Sequence, residues 1–563
     1  MDYRLVYEKW LNDEYINEET KKELIAIQRD EKEIEDRFYK NLEFGTAGLR
    51  GKLGAGTNRM NIYNISKVTQ GIADFIVEKG KDHMDRGVAI AYDVRHFSKE
   101  FSKTAALVLA GNGIKSYLFE DIRPTPELSF TIRRLNATAG IIITASHNPK
   151  DYNGYKVYWE DGAQVLSSIA EPMTEKINKI DSFQDIKTLD EKEALAKGLL
   201  NIIGKELDDE YIGKVKDLAL RDDIDKDIKI VYTPLNGTGN IPVRRVLRER
   251  GFTNIVVVPE QENPDPDFTT VGYPNPEDTK AFKYSEALGK EVGAELLIAT
   301  DPDCDRLAIE VRDKDGDYVP FNGNQTGAIL IKYILEGMQA KGTLPHNGAI
   351  VKSIVTGDLG SAIASEYGVT AFESLTGFKH ICGRIPEFEA SGEYEFIFGY
   401  EESIGYTTGT FVRDKDGVSS AMLLCEAAAY YKTKGKTLLN VLEEVYKTHG
   451  YYKEKQISLN LEGIEGKARI QRIMDSYRTS YPKNIGPMTL TKAIDYLEGY
   501  EDIPSSDVLK FYLDNGSWYA VRPSGTEPKI KIYLYTKADT SSQANENLKV
   551  MEDTIMEKLN STE

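Results

Sequence analysis

The sequence predicts an α/β protein: three similar mixed-sheet α/β domains followed by a smaller C-terminal α+β domain. Three observations carry this reading. The chain has 563 residues, which at ~100–200 residues per domain corresponds to roughly three to five domains. Strand-like apolar runs alternate with helical patterns as far as about Tyr452, as α/β units on mostly parallel sheets do. Beyond that point hairpin and period-two patterns take over.

The elements follow in order. "GVAIAYDV", "KSYLFED" and "GIIITAS" read as strands, with "SKEFSKTAALVLAGNG" and "PELSFTIRRL" as the helices between them. A second set has strands "IKIVYTPLNG", "NIVVVPE" and "AELLIATDPD", with helices around Val243–Arg250 and Ala281–Val292. A third has strands "AIVKSIVTG" and "YEFIFGYEES" and helices "GSAIASEYG" and "SSAMLLCEAAAYYKTKG". In the last part "DVLKFYLDNGSWYAVRPSG" is two strands around an Asn515-Gly516 turn. "KIKIYLYTK" alternates at period two, and a charged helix at about 541–559 follows. These patterns divide the chain at 1–206, 207–319, 320–452 and 453–563. "VRDKDG" occurs twice, at 311–316 and 412–417. Its turn chemistry reads as a hairpin turn, with a trace of internal duplication as the alternative.

The formal charge of −19 argues against a nucleic-acid or anionic-membrane surface. Cys304, Cys382 and Cys425 show no CxxC spacing, which suits a reduced compartment. The first residues, "MDYRLVYEKWLNDEY", contain no signal-peptide core, and no apolar run approaches ~18 residues. The expectation is a cytoplasmic protein without nucleic-acid or membrane partners.

Four loops carry chemistry. In "GIIITASHNPKDYNGYKVYW" a buried strand ends in Ser146-His147-Asn148-Pro149, at the carboxyl end where open α/β sheets place their sites. Turn punctuation is the competing reading. A serine-hydrolase elbow is excluded, because Thr144 and Asn148 stand where its glycines belong. In "LLIATDPDCDRLAIE", Asp301, Asp303 and Asp305 alternate directly after an apolar strand and would repel one another unless a hard cation gathered them. Arg306 and Arg312 stand where an EF-hand needs glycine and glutamate. In "FIFGYEESIGY", Glu401 and Ser403 follow a strand, two residues apart, and can face the hydroxyls of a sugar together. In "YAVRPSGTEPKIKIY", Arg522 offers a bidentate fork for phosphate, Ser524 and Thr526 offer hydroxyls, and Gly525 lets backbone N–H groups approach. No P-loop or dinucleotide fingerprint is present: Tyr430 stands where "KGKT" would need its first glycine.

Together, "TASHNP", "DPDCDR", "EES" and "RPSGTEPKIK", with "FGTAGLRG", "TPLNGTG" and "LTGFKH", resemble the α-D-phosphohexomutases over about residues 40–535. The resemblance implies four domains around a central cleft, each contributing one loop. It implies a phosphosugar mutase that interconverts glucose 1-phosphate and glucose 6-phosphate through a phosphoserine and glucose 1,6-bisphosphate, as a monomer or homodimer. Ser146 would be the phosphoserine. Asp301, Asp303 and Asp305 would hold Mg²⁺ together with an oxygen of that group. Glu401 and Ser403 would bind sugar hydroxyls, with Thr376 and Gly377 of "LTGFKH" also at the substrate. Arg522, Ser524, Gly525 and Thr526 would hold the phosphate that is not transferred. Lys156 and Lys379 are the candidates for acid/base work, His147 for orienting phosphate, Arg306 for stabilising charge and Arg50 for meeting the phosphoryl group. Tyr400 stands where many members have glycine, which is similar to a subgroup of bacterial phosphoglucomutases and animal phosphopentomutase-like enzymes. Phosphopentomutase or phosphomannomutase activity, a non-catalytic phosphosugar-binding protein, and a metal-dependent phosphatase, which needs a water route to phosphoserine, are the alternatives.

Overall fold

The computed structural model describes residues 2–461, 463–524 and 529–562. They form two compact units. Unit 1 comprises Met1–Asn322, Ile385–Glu387 and Ser403–Lys434, and unit 2 comprises Gly323–Arg384, Phe388–Glu402 and Gly435–Glu563.

Unit 1 contains two mixed sheets. The first is built from β1 (Leu49–Lys52), β2 (Val88–Tyr92), β3 (Ser116–Phe119), β4 (Ala139–Ile143), β5 (Tyr152–Trp159) and β6 (Leu200–Ile203), in the order β1-β5-β4-β2-β3-β6. The pairs β4/β2, β2/β3 and β3/β6 are parallel, and β5 runs antiparallel to both β4 and β1. Helices Ser98–Gly111 and Thr125–Arg134 cross over between the parallel strands. The period of two in a strand explains the unbroken apolar run of β4. Ala139, Ile141 and Ile143 enter the core on one face of the sheet, and Ile142 enters the core on the other. The second sheet contains β7 (Ile230–Thr233), β8 (Ile255–Val257), β9 (Leu296–Thr300), β10 (Leu307–Arg312) and β11 (Tyr318–Phe321), ordered β11-β10-β9-β7-β8. Before them all lie helices Tyr3–Asn12, Glu18–Ala26 and Glu31–Phe38. Tyr7, Trp10 and Phe38 from these helices pack edge to face, and Trp10 also meets Tyr63.

In unit 2, β12 (Gly348–Ser353), β13 (Thr370–Ser374) and β14 (Glu395–Glu401) pair in parallel in the order β13-β12-β14. The chain then contributes β15 (Gly405–Thr408) and the buried helix Gly417–Thr433 to unit 1. It completes unit 2 with β16 (Tyr451–Asn460), β17 (Asn484–Ile485), β18 (Met488–Asp495), β19 (Leu509–Leu513), β20 (Trp518–Pro523) and β21 (Lys529–Ala538). These six form an antiparallel sheet, β16-β21-β20-β19-β18-β17, backed by helices Gly463–Thr479 and Ser541–Asn560. The hairpin expected at Asn515-Gly516 joins β19 to β20, with Gly516 at φ +81°, a conformation glycine adopts without a Cβ penalty.

One expectation is corrected: the two "VRDKDG" copies differ. The first turns β10 into β11. The second is not a hairpin but a helix entry, because the buried Asp416 carboxylate accepts from the Val418 and Ser419 N–H groups and from the Tyr211 hydroxyl.

Tyr400 is fully buried, and its hydroxyl donates to the Gly357 carbonyl at 3.2 Å. The ring occupies space left by two glycines. A Cβ on Gly327 would lie 2.5 Å from the ring, and one on Gly360 would lie 2.3 Å from the hydroxyl. The tyrosine in place of glycine is therefore a packing feature of the core. Below it lies a buried charge cluster. Lys352 donates to Asp358 and Glu373 at 2.8 and 2.9 Å, Lys510 reaches Glu373 at 3.0 Å, and Trp518 Nε1 donates to Asp358 at 2.8 Å. Each buried charge thus has an opposite partner, as desolvation requires.

Gly360→Ala is expected to lower the stability of unit 2 by about 1–3 kcal/mol through overpacking, read as a lower urea midpoint. Adding Tyr400→Phe, which removes the clashing oxygen, should recover part of the loss. An unchanged midpoint for Gly360→Ala would contradict this packing.

Candidate functional site

The loop after β4 is held in a strained shape by a buried arginine. Ser146 is 3% exposed and sits at φ +51°, where a non-glycine residue is uncommon. Its N–H donates to Thr144 Oγ1 at 2.8 Å. Arg95, from the loop after β2, donates to the carbonyls of Ser146 at 2.6 Å, Pro149 at 2.8 Å, Tyr152 at 3.1 Å and Asn148. Asp93 anchors this arginine by an ion pair at 3.3 Å and accepts from the Thr144 and Ser98 hydroxyls at 2.7 and 2.8 Å. The aromatic face of Phe268 lies 5.0 Å from the guanidinium.

The Ser146 hydroxyl donates to Asp301 Oδ2 at 2.7 Å and lies 3.3 Å from His147 Nδ1. Asp301, Asp303 and Asp305 are all buried, and each offers an oxygen within 4.8 Å of the others. Burial and the two neighbouring carboxylates push Asp301 well above the usual carboxylate range. Burial and Asp303 push Asp305 up as well. Asp303 is opposite: burial opposes its charge, yet the Lys156 ammonium at 2.8 Å holds it below the usual range. Thr125 also donates to Asp303, at 3.0 Å. Lys415 pairs with Asp305 at 3.1 Å. The Arg306 N–H donates to Asp301 Oδ1 at 3.1 Å, and its guanidinium donates to the Ser403 carbonyl at 3.0 Å.

The donor set fits a hard divalent cation. Among the described residues Asp303 Oδ1 and Asp305 Oδ1 are buried without a hydrogen-bond donor, the latter 3.8 Å from Arg306 Nε, and buried anionic oxygens are ordinarily hydrogen-bonded or metal-bound. The loop's backbone leaves no space for larger neighbours. A Cβ on Gly237 would lie 2.5 Å from Pro302 Cα, and one on Gly417 would lie 2.7 Å from the Cys304 carbonyl. The "TPLNGTG" segment thus acts as a support for the acidic loop.

His147 is pulled well below the usual histidine range by burial, with Arg306 and Arg50 adding repulsion. It is a neutral imidazole at neutral pH. Arg50 is exposed on β1 and donates to Asn148 Oδ1 at 3.0 Å.

In unit 2, Glu401 ends β14 and is buried, with Oε1 accepting from the Gly377 N–H at 2.7 Å. Gly377 stands at φ +110° before helix Phe378–Ser391, a conformation suited to glycine. Thr376 precedes it, half-buried. Lys379, in the first turn, is lowered by burial to about 8. His380 is lowered to about 4 by burial, with Lys379 and Arg522 adding to it. Arg522 on β20 hydrogen-bonds Tyr533, whose ring environment also includes Glu402 and Glu401. The Ser524 N–H donates to the Lys529 carbonyl at 2.8 Å. Gly525 and Thr526 lie outside the described residues.

The structure therefore gathers Ser146, His147, Lys156, Asp301, Asp303, Asp305 and Arg306 in unit 1, with Arg50 reaching the serine loop from β1 and the Ser403 carbonyl at Arg306. Thr376, Gly377, Lys379, Glu401, Arg522 and Ser524 belong to unit 2. Glu401 and Ser403, expected to act as one grip, fall in different units. Sequence reasoning missed Asp93, Arg95, Thr125 and Lys415. Lys415 sits in the second "VRDKDG", whose repetition was the available signal.

Comparison with known proteins agrees with these observations. Four domain descriptions match in order: phosphoglucomutase/phosphomannomutase α/β/α domain I at residues 41–184, domain II at 209–316, domain III at 322–449 and the C-terminal domain at 465–555. A phosphoglucomutase of Staphylococcus haemolyticus is 37% identical over 525 residues, covering 91% of this chain and 94% of the relative. One of Staphylococcus epidermidis is 39% identical over 520 residues, covering 90% and 93%. Among solved structures, the Paramecium phosphoprotein pp63/parafusin, a phosphoglucomutase in its open form, shares the fold with TM-score 0.69 at 18% identity, covering 92% of this chain and 95% of that one. A phosphoglucomutase/phosphomannomutase family protein of Burkholderia thailandensis gives 0.66 at 18%, covering 92% and 97%. The chain belongs to the phosphoglucomutase/phosphomannomutase family.

Proposed function

We propose that this protein interconverts glucose 1-phosphate and glucose 6-phosphate by way of a phosphorylated Ser146 and glucose 1,6-bisphosphate. The observation that carries the reading is the Ser146 hydroxyl 2.7 Å from a buried three-carboxylate cluster in which two oxygens accept no hydrogen bond among the described residues. Glucose is favoured over other sugars because both staphylococcal relatives are phosphoglucomutases. Tyr400 is consistent with this reading, because the subgroup it resembles includes bacterial phosphoglucomutases.

Asp301, Asp303 and Asp305 would hold Mg²⁺, with an oxygen of the phosphorylated Ser146 as a further ligand. When bound, such an ion draws charge from a phosphoryl group in a loose transition state. Ser146 carries the phosphoryl group and gives it to the free hydroxyl of a sugar monophosphate. Arg95 and Asp93 fix the serine's backbone, so the oxygen is presented without reorganisation. Lys156 and the Arg306 guanidinium supply positive charge at the cluster, and Lys415 is a third cation at Asp305. Neutral His147 orients the phosphoryl group by hydrogen bonding. Lys379, at about 8, changes protonation near physiological pH, which suits a group that takes and returns the hydroxyl proton. Glu401, Thr376, Gly377 and Ser403 serve sugar recognition. Arg522, with Ser524, Gly525 and Thr526, holds the phosphate that stays on the sugar. The bisphosphate turns over and returns its other phosphate to Ser146.

Ser146→Ala is expected to lower mutase turnover by at least about 10³-fold, with unchanged unfolding behaviour and no phosphorylated species by intact mass. Near-normal turnover in that variant would remove Ser146 from the chemistry. Arg522→Ala should behave differently. Loss of a bidentate, charge-assisted contact of about 2–4 kcal/mol corresponds to roughly 30- to 1000-fold in kcat/KM, while phosphorylated Ser146 persists by intact mass. An unchanged kcat/KM would contradict the phosphate-holding role, and a folded variant unable to carry phosphate on Ser146 would move Arg522 to the transferring group.

A further inference from the structure

Unit 1 also encloses a cavity of about 240 Å³, lined by residues of its N-terminal helices and of the first α/β layer. Its residues are unrelated to the acidic cluster. Trp10, Leu42, Leu49, Val68, Ile177 and Phe183 form apolar walls, and Trp10 meets Phe183 edge to face at 5.5 Å. The polar part is Lys67, flanked by Asn64 and Asn178.

Lys67 is half-buried, and among the described residues its ammonium group has neither a hydrogen bond nor an ion pair. Burial lowers its pKa, Asp181 opposes that shift, and Lys9 adds to it. Asp181 and Lys9 are exposed at the rim. Asp13, also on the lining, is engaged by the Tyr15 N–H at 2.9 Å. Lys67 is thus a partly desolvated cation beside aromatic and aliphatic walls, in a lining that also carries the half-buried Asp13 carboxylate. Partial burial of the Lys67 ammonium carries a desolvation cost that Asp181 offsets only in part, and an anion that supplies a closer partner recovers more of it on binding.

We propose that this cavity binds a small organic anion, a carboxylate or phosphate on a compact apolar or aromatic body, with Lys67 as its counter-ion. The site is separate from the mutase chemistry and does not rest on it.

The test titrates the full-length protein calorimetrically with benzoate, phenyl phosphate and benzyl alcohol, with saturating glucose 6-phosphate present to occupy the phosphosugar site. At least one of the two anions should bind about tenfold or more tighter than benzyl alcohol. Whichever anion binds better identifies the head group. Lys67→Met should erase the preference and Lys67→Arg should retain it. Hydrogen exchange should show protection at residues 6–13, 64–68 and 177–183. Absence of anion binding, equal affinity for benzyl alcohol, an undiminished preference in Lys67→Met, or protection confined to other segments would each overturn the proposal.

Discussion

Three carboxylates buried within 4.8 Å of one another set the terms for unit 1. Like charges so close, removed from water, cannot all remain ionised without compensation. The surroundings answer with cations on several sides. Lys156 arrives from β5, Lys415 from the loop before helix Gly417–Thr433, and the Arg306 guanidinium from the acidic loop itself, 3.8 Å from Asp305. Even so, two oxygens remain without a donor, and burial with mutual repulsion drives Asp301 and Asp305 toward protonation. A divalent cation would resolve that imbalance, beside the Ser146 hydroxyl that donates to the cluster.

The scaffold is arranged around that constraint. The glycines of "TPLNGTG" and Gly417 allow backbone to lie directly against the acidic loop. Arg95 holds the serine loop through carbonyl oxygens alone, leaving the side chains of Ser146, His147 and Asn148 available. Unit 2 follows a different rule. Its buried charges are paired within the Lys352–Asp358–Glu373–Lys510 cluster, so the groups suited to substrate are the partly buried, less fully compensated ones: Lys379, His380 and Arg522. The lowered pKa values of Lys379 and His380 are the electrostatic consequence.

Much of this was legible in the sequence. The Ser146 loop and the acidic loop announce themselves because each follows a fully apolar strand, and because aspartates at every second position have no packing purpose. The α/β alternation and the Asn515-Gly516 hairpin are local patterns and were readable as such. What escaped is non-local. Arg95 acts on carbonyls about fifty residues away, and nothing in "AYDVRHFS" marks it apart from a surface loop. Tyr400 looked like a marker of substrate preference, but Gly327 and Gly360, which make room for it, lie far from it in sequence. The second "VRDKDG" carried the turn chemistry of the first, yet tertiary context made its Asp416 a helix cap and its Lys415 a partner of Asp305. The N-terminal helices were hidden by their charge, although Tyr3, Tyr7 and Trp10 already showed a helical spacing.

The central claim is that the Asp301–Asp303–Asp305 cluster is a cation site and not merely a buried acidic turn. Calorimetric titration of the metal-stripped protein with Mg²⁺, comparing wild type with Asp303→Asn, tests it most directly. The account predicts one site per chain in the wild type, proton release on binding because protonated carboxyls must ionise, and affinity at least about tenfold weaker in Asp303→Asn. No binding by the wild type, or equal binding without proton release in both proteins, would contradict it.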